Sequence, residues 1–230
     1  MTMAKKVYIG VGHGGSDPGA VGNGFKEKDL TLAIALACQD ELARHGVLTK
    51  ISRTKDESDS VSSKVSECNQ FNPDLALDIH INAGGGDGAE VFHSVVGGTG
   101  KTLANNILTE VKKIGQNSRG AKTRKNSSGS DYYGFIRSTN APAVIVECAF
   151  IDTKKDIQII DTKAEQIAMG VAIAKGVLNT LGVVNKAPVQ NTPADTGKVY
   201  RVQVGAYGQK ANADAMVKKL KAAGFDAVIV

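Results

Sequence analysis

A chain of 230 residues, 42% hydrophobic and 22% charged, has room for one substantial core and a small appendage, and its composition is that of an ordinary soluble globular protein. No stretch approaches the roughly 20 apolar residues needed to cross a bilayer, so no membrane insertion is expected. Three cysteines without Cys-x-x-Cys spacing argue against a disulfide framework or a cysteine zinc site. The net charge of +5 is uneven, with six basic and two acidic residues from Lys198 onward. Such a tail suits an anionic or polymeric surface. With no run of lysines and arginines, nucleic acid is not the expected partner.

The opening Met-Thr-Met-Ala-Lys-Lys leads into a strand-like run without an apolar signal region, which predicts synthesis in the cytoplasm without a signal peptide. Residues 7–11 read as a strand that opens into a glycine-rich loop, Gly12-His13-Gly14-Gly15-Ser16-Asp17-Pro18-Gly19. Glu27 stands just ahead of a helical pattern over 29–45, with the stripe Leu30, Ile34, Cys38, Leu42 and a stop at Gly46. A strand at 47–52, a helix at 61–71 and strands at 75–81 and 89–94 follow. A helix over 101–114 carries Leu103, Ile107, Val111 and Ile114, with Gly115 as its cap. The segment 115–140 is rich in Gly, Ser, Asn, Lys and Arg, and reads either as the wall of a substrate groove or as a mobile loop. Residues 144–148 form a strand and 163–181 a helix ending at Gly182.

This alternation predicts an α/β domain with helices covering a mainly parallel sheet. Residues 184–197, with Pro188 and Pro193, read as a linker between a domain at 1–183 and a tail at 198–230. The tail reads as one small β-α-β unit: a strand at 199–204, a helix at 212–223 with Met216, Val217 and Leu220 inward, and a strand at 227–230.

The chemistry gathers at strand ends. Period-two geometry puts Leu75, Leu77, Ile79 and Ile81 on one face of a strand and Ala76, Asp78, His80 and Asn82 on the other. A lone strand histidine is more often a hydrogen-bonded structural residue; a second one, His13, also at a strand end, favours a site. Catalytic zinc takes three His/Glu-type ligands and leaves a position for water. His13, Glu27 and His80 would supply that set, with Glu147 as the spare carboxylate that handles the water's proton. The spacing is weak by itself, since no His-Glu-x-x-His helix is present.

Other features read as structural. Gly10-Val-Gly-His-Gly-Gly15 matches a dinucleotide fingerprint only formally, because glycines and Pro18 keep the segment a loop. In the phosphate-loop lookalike Gly98-Thr-Gly-Lys-Thr102, Val95 occupies the first glycine position. His45 suits a helix C-terminus, and His93 could face a groove or pack at the core or edge. Cys38, Cys68 and Cys148 read as small core hydrophobes.

These residues match a known pattern. Gly12–Ala20, Glu27-Lys28-Asp29-Leu30, Ser52-Arg53-Thr54, Ile79-His80-Ile81-Asn82, Gly88-Ala89-Glu90-Val91, Arg119-Gly120-Ala121-Lys122 and Pro142–Ile151 occur in order. Residues 4–183 therefore resemble the zinc-dependent N-acetylmuramoyl-L-alanine amidases of phage endolysins, sporulation and cell separation. The resemblance implies a twisted, mostly parallel six-stranded sheet flanked by helices, zinc on His13, Glu27 and His80, and a catalytic Glu147. It implies cleavage of peptidoglycan between the lactyl group of N-acetylmuramic acid and the L-alanine of the stem peptide; without a signal peptide, release by lysis is the expected route to the wall.

Three positions depart from the family pattern: Gly10 stands for an acidic residue, Asp78 for a small or hydroxyl one, and Ala149 for glycine. The first two suggest compensation, with Asp78 restoring a carboxylate that orients a zinc-binding imidazole. The tail resembles half of a sporulation-related repeat (SPOR) domain, a wall-binding module, which implies homodimerisation through a second copy or poor order. A zinc carboxypeptidase acting on stem peptides, with Arg119, Arg124 or Arg137 as a carboxylate clamp, is the rival enzyme. A non-catalytic wall-binding protein would lack the ligand set or the spare glutamate.

Overall fold

In the computed structural model, which describes residues 4–184, 205, 208–222 and 227–229, the apolar run Lys6–Val11 forms β1. A small antiparallel hairpin, β2 (Val21–Gly22) and β3 (Phe25–Lys26), leads into α1 (Glu27–Arg44). Then come β4 (Leu48–Ile51), α2 (Val61–Phe71), β5 (Leu75–Asn82), β6 (Ala89–His93) and α3 (Gly98–Lys113). β7 (Ser118–Lys122), α4 (Gly134–Ser138), β8 (Ala143–Phe150), α5 (Lys154–Ile157) and α6 (Lys163–Leu181) complete the unit. The sheet order is β4-β1-β5-β8-β6-β7, parallel throughout except where β6 runs against β8.

The strand alternation decides the layers. Leu75, Leu77, Ile79 and Ile81 of β5 enter the main core with Leu30 and Ile34 of α1, Leu103 and Ile107 of α3, and Ile173 and Val177 of α6. Each such aliphatic side chain contributes about 1.5–3 kcal/mol on burial. Ala76, on the other face, joins Tyr8, Cys68, Phe135 and Ala143 in a smaller cluster with α2 and α4. The three cysteines are buried and free.

Side-chain and glycine caps close the ends of α2 and α6. Ser60 accepts the Ser63 N–H at the start of α2. Thr162 and Glu165 form a capping box on α6, and Gly182 ends it in the left-handed conformation (φ 67°). At the far end of β8, the buried Asp156 carboxylate accepts the N–H groups of Gly88 (2.9 Å) and Phe150 (2.6 Å) and the Gln116 amide (2.8 Å).

Several elements differ from expectation. α1 begins at Glu27 and α3 at Gly98, so the phosphate-loop lookalike is the first turn of a helix. The segment 115–140 contains β7 and α4; Ser-Arg-Gly-Ala-Lys pairs at the sheet edge with only β6, so it needs little apolar content to be a strand. The hairpin β2–β3 and the four-residue α5 are too short to show a period.

By compactness the chain divides into Met1–Ala187 and Pro188–Val230. In the second unit α7 (Lys210–Ala222) carries the half-buried Met216, Val217 and Leu220. Apart from residue 184, the expected linker lies outside the described residues, as does the strand at 199–204. Residues 227–229 are not in a strand, which would need a hydrogen-bonded partner. Among the described residues no helix is long and apolar enough to cross a membrane.

Candidate metal centre

Three loops and strand ends converge where β1 and β5 finish. His13 sits just past β1 in the left-handed conformation (φ 59°), a costly backbone state for a side-chain-bearing residue. The Gly12 N–H donates to the Ile79 carbonyl at 2.9 Å, and Gly14 and Asp17 exchange backbone hydrogen bonds, which together hold that turn. Glu27, as the first residue of α1, is buried, with one carboxylate oxygen accepting the Ala20 N–H and the other the Ile81 N–H, both at 2.9 Å.

The two histidines meet on that carboxylate. His13 Nε2 lies 3.1 Å from Glu27 Oε2, and His80 Nδ1 lies 3.0 Å from Oε1. The rings stand edge-on, 5.1 Å apart at 82°. Burial alone would raise the Glu27 pKa, but hydrogen bonds from His13 and His80 outweigh it and hold the group at about 2. Burial works against a charged His80, yet Asp78 and then Glu27 raise it to about 10. The Glu27 hydrogen bond likewise raises His13. Two imidazoles thus crowd one buried anion.

The donor set fits a divalent cation. One ligand atom from each of His13, Glu27 and His80 lies within 4.8 Å of the others, and no other group of three or more His, Cys, Asp or Glu side chains among the described residues does so. Glycines leave the space: a β-carbon at Gly19 would come within 2.6 Å of Glu27 Oε2 and of His13, and one at Gly12 within 2.7 Å of the His80 ring. Two nitrogens and a carboxylate oxygen are the donor types of a catalytic zinc site.

Glu147 on β8 is the partner of His80 in the parallel β5–β8 register, and Glu90 is its partner on the other side. It is not part of the three-residue cluster. Burial pushes it up to about 7, with the attraction of His80 opposing and the repulsion of Glu27 and Glu90 assisting. Beside it lies a recess of about 170 Å³ lined by Val61, Asp78, His80, Tyr133, Gly134, Phe135, Ile145 and Glu147. The segment 115–140 therefore supplies part of the wall through α4.

The surrounding residues are less visible in sequence. Asp17 accepts from His13 Nδ1 at 2.8 Å, the ring nitrogen facing away from Glu27; only its place four residues on in the turn hints at it. Arg53 is 2% exposed and donates to the carbonyls of Gly12, Lys28 and Lys55 and to the Thr31 hydroxyl, tying the His13 loop to the start of α1. Arg53 falls within the matched Ser52-Arg53-Thr54 block, but arginine is mostly an exposed residue type, so its burial was not evident from the sequence. Asp78 lies 3.4 Å from His80 Nε2 and pairs with Lys64. Ala149 packs in the main core.

The arginines considered as a carboxylate clamp are engaged elsewhere. Arg119 pairs with Glu90 and stacks over Phe150, Arg124 lies 3.8 Å over the Tyr132 ring, and Arg137 donates to the carbonyls of Asp131 and Tyr132. None lines the recess. His45 hydrogen-bonds the Glu41 carbonyl at the end of α1, and the buried His93 the Ser94 carbonyl.

Residues 7–179 match the family model for N-acetylmuramoyl-L-alanine amidase, and residues 187–230 match that for the SPOR domain. The chain is 35% identical over 229 residues to the sporulation-specific N-acetylmuramoyl-L-alanine amidase of Bacillus subtilis (strain 168), covering 98% of this chain and 84% of that protein. It is 32% identical to the endolysin of Bacillus phage SPP1 over 217 residues, 88% of this chain and 77% of that one. The catalytic domain of CwlV, an N-acetylmuramoyl-L-alanine amidase from Bacillus (Paenibacillus) polymyxa var. colistinus, superposes with a TM-score of 0.71 at 25% identity, covering 78% of this chain and 99% of that domain. With the family model spanning most of its length, the chain belongs to the N-acetylmuramoyl-L-alanine amidases, enzymes that hydrolyse peptidoglycan.

Proposed function

We propose that His13, Glu27 and His80 hold a zinc ion and that Glu147 is the catalytic acid and base for cleavage of the muramoyl–L-alanine amide. The observation that supports this reading is the placement of a second, separate carboxylate, Glu147, beside the three-donor cluster and lining a recess. Zinc held there by His13, Glu27 and His80 would supply Lewis-acid chemistry, activating water and polarising a carbonyl. Glu147 takes the proton of the attacking water and returns it to the leaving amine of L-alanine. Asp17 and Asp78 fix the two imidazole rings from behind.

We further propose the domain division 1–183, 184–197 and 198–230, with the tail attaching the enzyme to peptidoglycan. The SPOR match to residues 187–230 supports a wall-binding role. A pairing of two tails into a homodimer would complete the half repeat, and sedimentation at micromolar concentration tests it. Relatives that include a sporulation-specific amidase and an endolysin support action on the wall after lysis of the producing cell.

Mass spectrometry of purified peptidoglycan digested with and without a zinc chelator tests the core of the proposal. New L-alanine amino termini on intact glycan strands, lost on chelation, are expected. Cleavage only between stem-peptide residues would replace the reading with a peptidase.

A further inference from the structure

Among the described residues, Lys64 and Asp78 form the most deeply buried ion pair, each 2% exposed. Lys64 Nζ reaches from α2 and donates to both Asp78 oxygens, at 2.9 and 2.7 Å. Removing two charges from water costs several kcal/mol per ion, and a well-packed apolar pair of equal volume commonly stabilises a fold as well or better. Stability is therefore a poor account of this pair.

Its geometry supplies another. The Asp78 Oδ2 gripped by Lys64 lies 3.4 Å from His80 Nε2, while His80 Nδ1 faces Glu27 at 3.0 Å. A proton on Nε2 directed at Asp78 leaves Nδ1 with its lone pair toward the candidate centre. Strand register provides the room. Gly10 on β1 is paired with Asp78 on β5, and a β-carbon at residue 10 would lie 2.5 Å from Asp78 Oδ1 and 2.9 Å from its Cγ. The missing side chain at 10 and the carboxylate at 78 occupy one volume, closed on the α2 side by Lys64.

We propose that Lys64 and Asp78 are positioning residues for the metal centre: Lys64 pins the Asp78 carboxylate in the space left by Gly10, and Asp78 orients His80 so that Nδ1 is its ligating nitrogen. This rests on the reading that His13, Glu27 and His80 bind zinc. It makes residue 10 a determinant of metal affinity although it touches no ligand.

The test is zinc affinity of the full chain, measured by competition with a chromophoric chelator and independent of turnover. Lys64→Met combined with Asp78→Asn removes both charges together and leaves no unpaired ion, so the fold is expected to persist. Its zinc affinity should fall about ten- to a hundredfold, the usual cost of losing a partner of a ligating histidine. Gly10→Ala keeps both charges and only displaces the carboxylate; it should weaken zinc about tenfold. With cadmium-113 in place of zinc, metal–nitrogen coupling should appear at His80 Nδ1. Parental zinc affinity in a folded double variant or in Gly10→Ala, or coupling at Nε2, would overturn the proposal. A parent chain that binds no zinc would instead overturn the metal reading and take this one with it.

Discussion

His80 on β5 and Glu147 on β8 are register partners across two parallel strands, so their side chains rise from the same face of the sheet. A candidate ligand and a candidate base are thereby set side by side by backbone hydrogen bonds rather than by a flexible loop. Glu147→Gln should lower kcat by about a hundredfold or more while leaving zinc stoichiometry at the parental level. His80→Ala should lose both. Metal analysis of the purified variants alongside turnover of peptidoglycan separates the two roles, and a Glu147→Gln enzyme with near-parental kcat would remove that residue from the chemistry.

The metal-free protein should show the unusual carboxyl as a stability effect. Burial raises Glu147 from 4.5 to about 7, so the folded chain holds that proton more tightly than the unfolded one. The associated stability is fully present below the unfolded value and is lost as pH rises through the folded one. His80, raised from 6.5 to about 10 chiefly by Asp78, acts in the same sense at higher pH. In the presence of chelator the parent should therefore lose stability steadily from about pH 5 upward. Glu147→Gln should escape the first part of that loss and be the more stable of the two above about pH 7. Urea midpoints across this range decide it, and parallel profiles would contradict the burial of the carboxyl.

Arg53 joins the carbonyl beside His13 to the carbonyl beside Glu27: its Nη2 donates to Gly12 at 3.1 Å and to Lys28 at 2.7 Å. Hydrogen bonds from a charged donor contribute about 1.5–3 kcal/mol each. Arg53→Met should cost about 3 kcal/mol in zinc-free urea unfolding and also weaken zinc binding, because the two candidate ligands lose their common brace. Loss of stability with unchanged zinc affinity would make the residue structural only.

Gly134 lines the recess beside Glu147, and a β-carbon there would sit 3.3 Å from Val61 Cγ1. Gly134→Val should fill part of that volume and cut kcat/KM roughly tenfold or more by displacing the substrate from Glu147. Zinc content and melting temperature should stay near the parental values. Unchanged kcat/KM would mean that the substrate lies elsewhere along the sheet edge.

Much of the first unit was legible in residue pattern alone. Period-two alternation around His80 and the helical stripes of α1, α3 and α6 dictate which faces are buried, because apolar side chains on one face of an element have to leave water together. The same pattern brings out His13, Glu27, His80 and Glu147 as polar residues in or beside apolar runs, although β8 continues three residues past Glu147. What β7, α4 and the hairpin do was not legible: each is short and polar, and it takes shape from the neighbour it pairs with or packs against. The sequence by itself therefore determined the layers, the strand and helix identities of the long elements, and the residue types available for a metal and a base. Only the tertiary structure decided that Glu27 lies between two imidazoles, that Arg53 and Lys64 are buried, and that Gly10 stands opposite Asp78. Those relations join residues far apart in the chain, and their distances depend on strand order and register, which local periodicity does not encode.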